Sequence, residues 1–226
     1  MSSDAREKIK NAAQALFAER GLDGVTVRQI VAAAGQKNMA ALHYYFGTKE
    51  DLVRELIVDA ARLMDGRRND LLDAAEAEGG PHALREVIAI IVDSIVVAPD
   101  HARARTYMRF VAQIVATRRD LFDGAIGQRW NTGYQRCLAH IRRLSPDLPR
   151  AVLNQRLLFL GIYLFNVLAA REGAAAHGPE PHPYWQSPQL LAGLIDSACG
   201  LVEAPVGAGA AGGKAGPQSQ PLPAFL

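Results

Sequence analysis

Cysteine is nearly absent: two residues in 226, too few for a disulfide framework or for the four thiolates of a structural zinc site. Cys137 and Cys199 fit a reducing, intracellular setting. The first eight residues are charged and hold no apolar signal core, so no secretion signal is expected. The most apolar run, residues 157–170, is shorter than a bilayer span and contains Asn166. A cytoplasmic protein without a membrane crossing is therefore expected. Catalytic signatures are missing too. There is no Gly-x-Ser-x-Gly, no P-loop and no dinucleotide fingerprint. His101, His140, His177 and His182 show no paired metal-ligand spacing, and His82 sits on a Gly-Gly-Pro break. The proline-crowded loop 177–183 reads as solvent-exposed. These absences argue against an enzyme, a metal site and a cofactor.

What remains is a chain that is 49% apolar and 21% charged, enough for a sizeable core in one or two domains. Its formal net charge of +2 falls on one segment. Residues 1–50 hold seven Lys and Arg against five acids, while the other 18 bases and 18 acids cancel. Four of the five lysines also precede residue 51. An excess placed so suits a segment that meets a polyanion, and equally an ordinary solvated surface.

Almost every periodic stretch repeats at 3.6 residues. Ile9, Ala12, Ala13, Leu16 and Phe17 form one apolar stripe, and Gly21 ends that helix. Thr26 caps the next, residues 27–34, with Gln29 completing a capping box; Gly35 stops it. Asn38 caps a third helix over 39–45, and Thr48 a fourth that runs to about 78. Further helices read as 82–97, 101–118, 120–144, 150–172 and 188–203, with a long loop at 173–188. No strand alternation is visible. The fold class is all-α.

Three short helices within residues 8–46 make a helix-turn-helix layout. Small apolar residues of the second helix (Val27, Ile30, Val31, Ala34) allow a close crossing. On the third, Ala41, Leu42, Tyr45 and Phe46 offer inward contacts, which leaves Lys37, Asn38, Met39, Ala40, His43 and Tyr44 to face outward. A cation, an amide, an imidazole, a phenol and a small apolar patch suit base edges and thymine methyls. Thr26 and Arg28 start the second helix, where free N–H groups favour a phosphate, and Lys49 stands at the opposite rim. Taken alone, Arg28 and Lys49 would read as solvated charges, and Phe46 reads as core.

The stretches Ala-Gln-Ala-Leu-Phe-Ala-Glu-Arg-Gly (13–21), Val-Thr-Val-Arg-Gln-Ile (25–30), Ala-Ala-Gly (33–35) and Tyr-Tyr-Phe-Gly-Thr-Lys-Glu-Asp-Leu (44–52) together resemble the N-terminal domain of TetR-type transcriptional regulators. The resemblance covers residues 6–53. It implies an all-α homodimer, a third helix that reads double-stranded DNA, and a C-terminal domain that binds a small effector and releases the operator. By position it gives Arg28 the second-helix DNA contact, His43 and Tyr44 the recognition contacts, and Tyr45 and Lys49 the phosphate contacts. The sequence departs from the pattern in three places. The turn at 36–41 is one residue longer than the commonest form, which leaves two registers open for Lys37 to Ala40. His43 stands where tyrosine is usual, and Tyr45 where histidine is usual.

The C-terminal half supports the rest of that picture. Helix 150–172 is apolar nearly all round, as a helix buried on more than one side would be. Paired with helix 188–203 it could form a four-helix bundle with a two-fold mate, or a deeper monomer core. Tyr107 and Phe110, Trp130 and Tyr134, and Phe159, Tyr163 and Asn166 occupy three helix faces that could enclose a mostly apolar effector. Any one of these aromatics could as well be plain core. Arg103, Arg105 and Arg109 read as surface charges. The expected organisation is a DNA-binding domain over 1–48, an effector and dimerisation domain over 49–204, and a disordered Gly/Ala/Pro-rich tail over 205–226. The expected function is a homodimeric repressor of a palindromic operator. A helical ligand-binding or scaffold protein with a vestigial helix-turn-helix is the alternative.

Overall fold

The computed structural model of the protein describes residues 2–96, 103–127, 129–176 and 182–207. Ten α-helices and a short 3-10 turn, Pro183–Gln186, account for the regular structure, and no strand occurs among the described residues. The helices are α1 (Ser2–Arg20), α2 (Val27–Ala33), α3 (Ala40–Phe46), α4 (Lys49–Ala77), α5 (Leu84–Ile95), α6 (Tyr107–Thr117), α7 (Arg119–Ile126), α8 (Thr132–Leu144), α9 (Arg150–Ala176) and α10 (Leu190–Glu203). Helix α1 packs on α2 and α6; α4 packs on α5, α7 and α8; α6 lies on α9; and α10 closes over α5 and α9. One continuous apolar cluster runs through all of them, from Ile9 to Val202.

The three-helix head forms where local signals place it. Thr26 Oγ1 accepts from Gln29 N, and Gln29 Oε1 accepts from Thr26 N, which completes the capping box. Gly35, at φ 68°, turns the chain out of α2. Its N–H reaches Ala32 O while Gln36 N reaches Val31 O, the paired bonds of a Schellman ending. Asn38 Oδ1 accepts from Ala40 N at 2.8 Å, so its side chain caps the first turn of α3. Thr48 Oγ1 does the same for Asp51 N at the start of α4.

Two expected helices change shape. The span expected over 120–144 is two helices, because Gly127 takes φ 52° and the chain restarts at α8. That restart is fixed from afar: buried Asp65 of α4 accepts from Gly133 N and from Thr132 Oγ1, both at 2.8 Å. The helix expected over 101–118 starts at Tyr107, where Glu172 of α9 accepts from Met108 N and Arg109 N at 3.0 Å each. Helix α9 runs on to Ala176 and is long and apolar enough to cross a membrane by length and composition alone, but half of its most apolar window is buried in the fold. The expected disordered tail falls mostly on residues 208–226, outside the described residues, as do His101 and His177.

Helix α1 also joins the head to the rest. Phe17 stacks on Phe110 of α6, ring centroids 6.2 Å apart. Gln14, buried, donates through Nε2 to Arg103 O (2.7 Å) and Thr106 Oγ1 (2.9 Å). Lys10, almost wholly buried, donates to Asp59 of α4 at 2.8 Å, and Arg103 Nη1 lies 3.1 Å from the same carboxylate. Burial pushes the Asp59 carboxyl pKa up, but the Lys10 and Arg103 cations outweigh it and hold it below the ordinary carboxylate value. The native pKa therefore lies under the unfolded one. The stabilisation is present above about pH 4 and is lost as pH falls through the native value. Replacing Asp59 by Asn is expected to lower unfolding stability by about 2 kcal/mol at neutral pH, with the difference from the parent shrinking toward zero in acid. Urea unfolding at pH 7 and pH 2 measures this; a pH-independent difference would rule out the ionic join.

Candidate nucleic-acid interface

The outward face of α3 and the turn before it carry the residues that the sequence assigns to them. Lys37, Asn38, Ala40 and His43 are exposed, Met39 is 51% exposed and Tyr44 is 81% exposed. Leu42 and Phe46 are buried, while Ala41 and Tyr45 are half-buried against the core. The Asn38 cap settles the register within the longer turn: Asn38 precedes the helix, Met39 already has helical angles, and Ala40 is its first residue.

His43 is not a freely turning ring. Its Nδ1 lies 2.6 Å from Gly47 O, so Nδ1 carries the hydrogen and donates to that carbonyl. Nε2 is then the ring nitrogen left for another contact. Tyr44 meets Tyr45 edge to face at 5.0 Å, which fixes both rings at the helix surface. Thr26 and Arg28 are exposed at the start of α2, beside the α3 face.

Lys49 sits differently from an open phosphate contact. Its Nζ donates to Leu22 O and Val25 O, each at 3.0 Å, and the residue is half-buried. Two of its three donors thus tie the start of α4 to the loop between α1 and α2, and one remains. Behind the head, Arg6 lies over the Phe46 ring at 5.1 Å and pairs with Glu55. The Lys10, Gln14 and Arg103 cluster was not among the residues expected to matter. Its only sequence signal is that Lys10, Gln14 and Phe17 follow helical spacing along the side of α1 that meets α6.

The aromatic set expected to form an effector pocket is not gathered round one space. Tyr107, Phe110 and Tyr134 are buried, and burial holds the Tyr134 hydroxyl up to about 12. Trp130 is half-buried between the guanidiniums of Arg62 (4.9 Å) and Arg129 (5.0 Å). On α9, Leu157, Leu160, Leu164 and Leu168 face the core. Phe159 and Asn166 lie on the opposite side, with Phe159 47% exposed and Asn166 exposed, while Tyr163 is half-buried on the flank against the core. Asn166 donates to Ile162 O within its own helix, so it is not a buried amide awaiting a ligand. Arg103, expected at the surface, is buried. A cavity of about 690 Å³ lies instead beside α1 and α4 and takes only Tyr107 of the expected set. Among the described residues no three His, Cys, Asp or Glu side chains form a metal-holding group.

Two family models match the chain. One, of bacterial regulatory proteins of the tetR family, matches residues 9–56; the other, a tetracyclin repressor-like C-terminal domain, matches residues 89–200. Among curated proteins, the HTH-type transcriptional repressor KstR2 of Mycolicibacterium smegmatis is 36% identical over 70 residues, 31% of this chain and 34% of that protein. The HTH-type transcriptional repressor AcnR of Corynebacterium glutamicum is 39% identical over 64 residues, 28% of this chain and 34% of that protein. The HTH-type transcriptional dual regulator CecR of Shigella flexneri is 52% identical over 48 residues, 21% of each chain. These matches span about a third or less of each relative.

A lysine that only met phosphate would leave the free protein's stability untouched. With Nζ on two backbone carbonyls, Lys49→Ala is expected to lower it by about 2 kcal/mol. Thermal unfolding without DNA measures the loss; an unchanged midpoint would return Lys49 to a phosphate role alone.

Proposed function

Because the chain belongs to the TetR family of bacterial regulatory proteins, we propose that it is a cytoplasmic transcriptional repressor that grips a palindromic operator as a homodimer and lets go when a small molecule binds its C-terminal domain. The observation that carries this reading is the sorting of α3, with Lys37, Asn38, Met39, Ala40, His43 and Tyr44 outward and Leu42 and Phe46 inward. In the major groove, Lys37 and Asn38 would reach base edges at the start of α3, and Met39 and Ala40 supply apolar contact for thymine methyls. His43, its Nδ1 engaged on Gly47 O, turns Nε2 to a base edge, while Tyr44 reaches the groove wall. Arg28, Thr26 and Tyr45 serve the flanking phosphates, with the remaining Lys49 donor beside them.

A single copy of so short a helix reads only a few base pairs, and two copies set about 34 Å apart match successive turns of duplex DNA. The mate is expected on the outward stripe of α9. Phe159 and Ile162 are 47% and 44% exposed there, with Tyr163 and Asn166 beside them, an apolar strip of the kind that marks an interface. Helix α10 packs along α9 and completes that half of a four-helix bundle.

Selection from random duplex DNA is expected to return a two-fold symmetric site. The double substitution Phe159→Glu with Ile162→Glu is expected to give a monomer by sedimentation and to weaken binding to that site at least a hundredfold. Sites without symmetry, or no retained DNA at all, would refute the reading.

A further inference from the structure

The 690 Å³ cavity lies between α1, α4 and the segment entering α6, a size in the range of small-molecule sites. Its floor is one side of α4, where Leu56, Asp59, Leu63, Gly66 and Arg67 recur at helical spacing. Helix α1 supplies Lys10 and Gln14 to the opposite wall, so the space is lined jointly by the head and by the domain behind it.

Its charges are not balanced. Lys10 and Arg103 take up Glu7 and Asp59 in ion pairs. Arg62 and Arg67 also line the cavity and pair with no carboxylate among the described residues, against one further acid, exposed Asp70. The Arg103 side chain is nine-tenths buried, and its Nη1 lies 3.1 Å from Asp59 without the alignment of a full hydrogen bond. A buried guanidinium N–H poorly aligned with its carboxylate is left partly unsatisfied, and a better-placed oxygen anion can take it. The rest of the wall is apolar: Leu56, Met64, Ile95 and the 42%-exposed Leu63.

Gly66 points the same way. It sits inside a helix of 29 residues, where glycine weakens the helix relative to alanine. No neighbour requires it, since a Cβ there would meet nothing within 4 Å. It leaves the cavity floor open. We infer that this cavity is the effector site and takes a small amphipathic carboxylate, its anionic end on Arg103 and Arg67 and its apolar body along Leu63, Ala60 and Ala104. This rests on the repressor reading above and names its ligand class. Such an anion competes with Asp59 for Arg103, and so loosens the join between α1, α4 and the entry to α6 through which the head is held. Release follows because the ligand favours the loosened state over the DNA-bound one.

Decanoate, decanol and decylamine, each below its micelle concentration, probe the site by two readouts on the full chain: thermal midpoint and release of retarded duplex DNA. Decanoate is expected to raise the midpoint by several degrees and to release DNA at a concentration at least tenfold below decanol, with decylamine inert. Gly66→Leu puts a side chain on the floor, starting from a Cβ that has open space, and Arg67→Gln removes an unpaired cation. Each is expected to raise the half-effective decanoate concentration at least tenfold, with helix content and DNA retention recorded first to exclude misfolding. Decanol matching decanoate, both variants responding like the parent, or a parent indifferent to every saturated carboxylate from six to twelve carbons would overturn the inference. A parent that retards DNA yet ignores carboxylates refutes only this site. A parent that retards no DNA refutes the repressor reading, and the thermal shift still reports on the cavity.

Discussion

Helix α1 belongs to two cores at once, and the arrangement of the molecule depends on that sharing. Ala13 and Phe17 are fully buried between the head and α6, where Phe17 stacks on Phe110. A step away along the same helix, Gln14 and Lys10 are buried on polar partners that lie outside the head: Arg103 O, Thr106 Oγ1 and Asp59. Apolar contact alone tolerates sliding. Two buried hydrogen bonds and an ion cluster fix a register, because each group left without its partner in that setting carries a desolvation penalty. The head is therefore held at a defined angle to α4 and α6.

That constraint turns a family fold into a device with a direction. Helix α3 is only seven residues long and is braced through Lys49 and the Asn38 cap, so it has little freedom of its own. Any displacement of α3 must therefore come from the body. The body in turn is pinned at distant points: Glu172 of α9 holds the start of α6, and Asp65 of α4 holds the start of α8. A disturbance at the entry to α6 thus touches α1 on one side and α9 on the other.

How much of this the sequence displays depends on the reach of each interaction. Gly35, the Thr26 and Gln29 pair, Asn38 and Thr48 act within a turn or two of themselves, and the ends of α2, α3 and α4 follow from them within a residue. The inward and outward sides of α3 follow from its period. The break before α8 and the late start of α6 were not legible, because their capping carboxylates come from residues more than sixty positions away. Nor was the fate of Lys49, whose long stem reaches carbonyls or solvent equally well until the loop at Leu22 and Val25 is in place. The aromatic set failed for a different reason. Tyr107, Phe110 and Tyr134 are core, Phe159 faces outward and Tyr163 lies half-buried on the flank, and counting aromatics on a helix does not say which side its neighbours take.

Native-state hydrogen exchange across α1 and α6 tests the shared core most directly. If α1 is common to both, substituting Phe110 by Ala lowers the opening free energies of the amides around Ile9 to Phe17 and of those around Tyr107 to Ile114 together, by similar amounts of about 3 kcal/mol. Faster exchange confined to α6, with α1 protected as in the parent chain, would show that the head stands independently and would contradict the account.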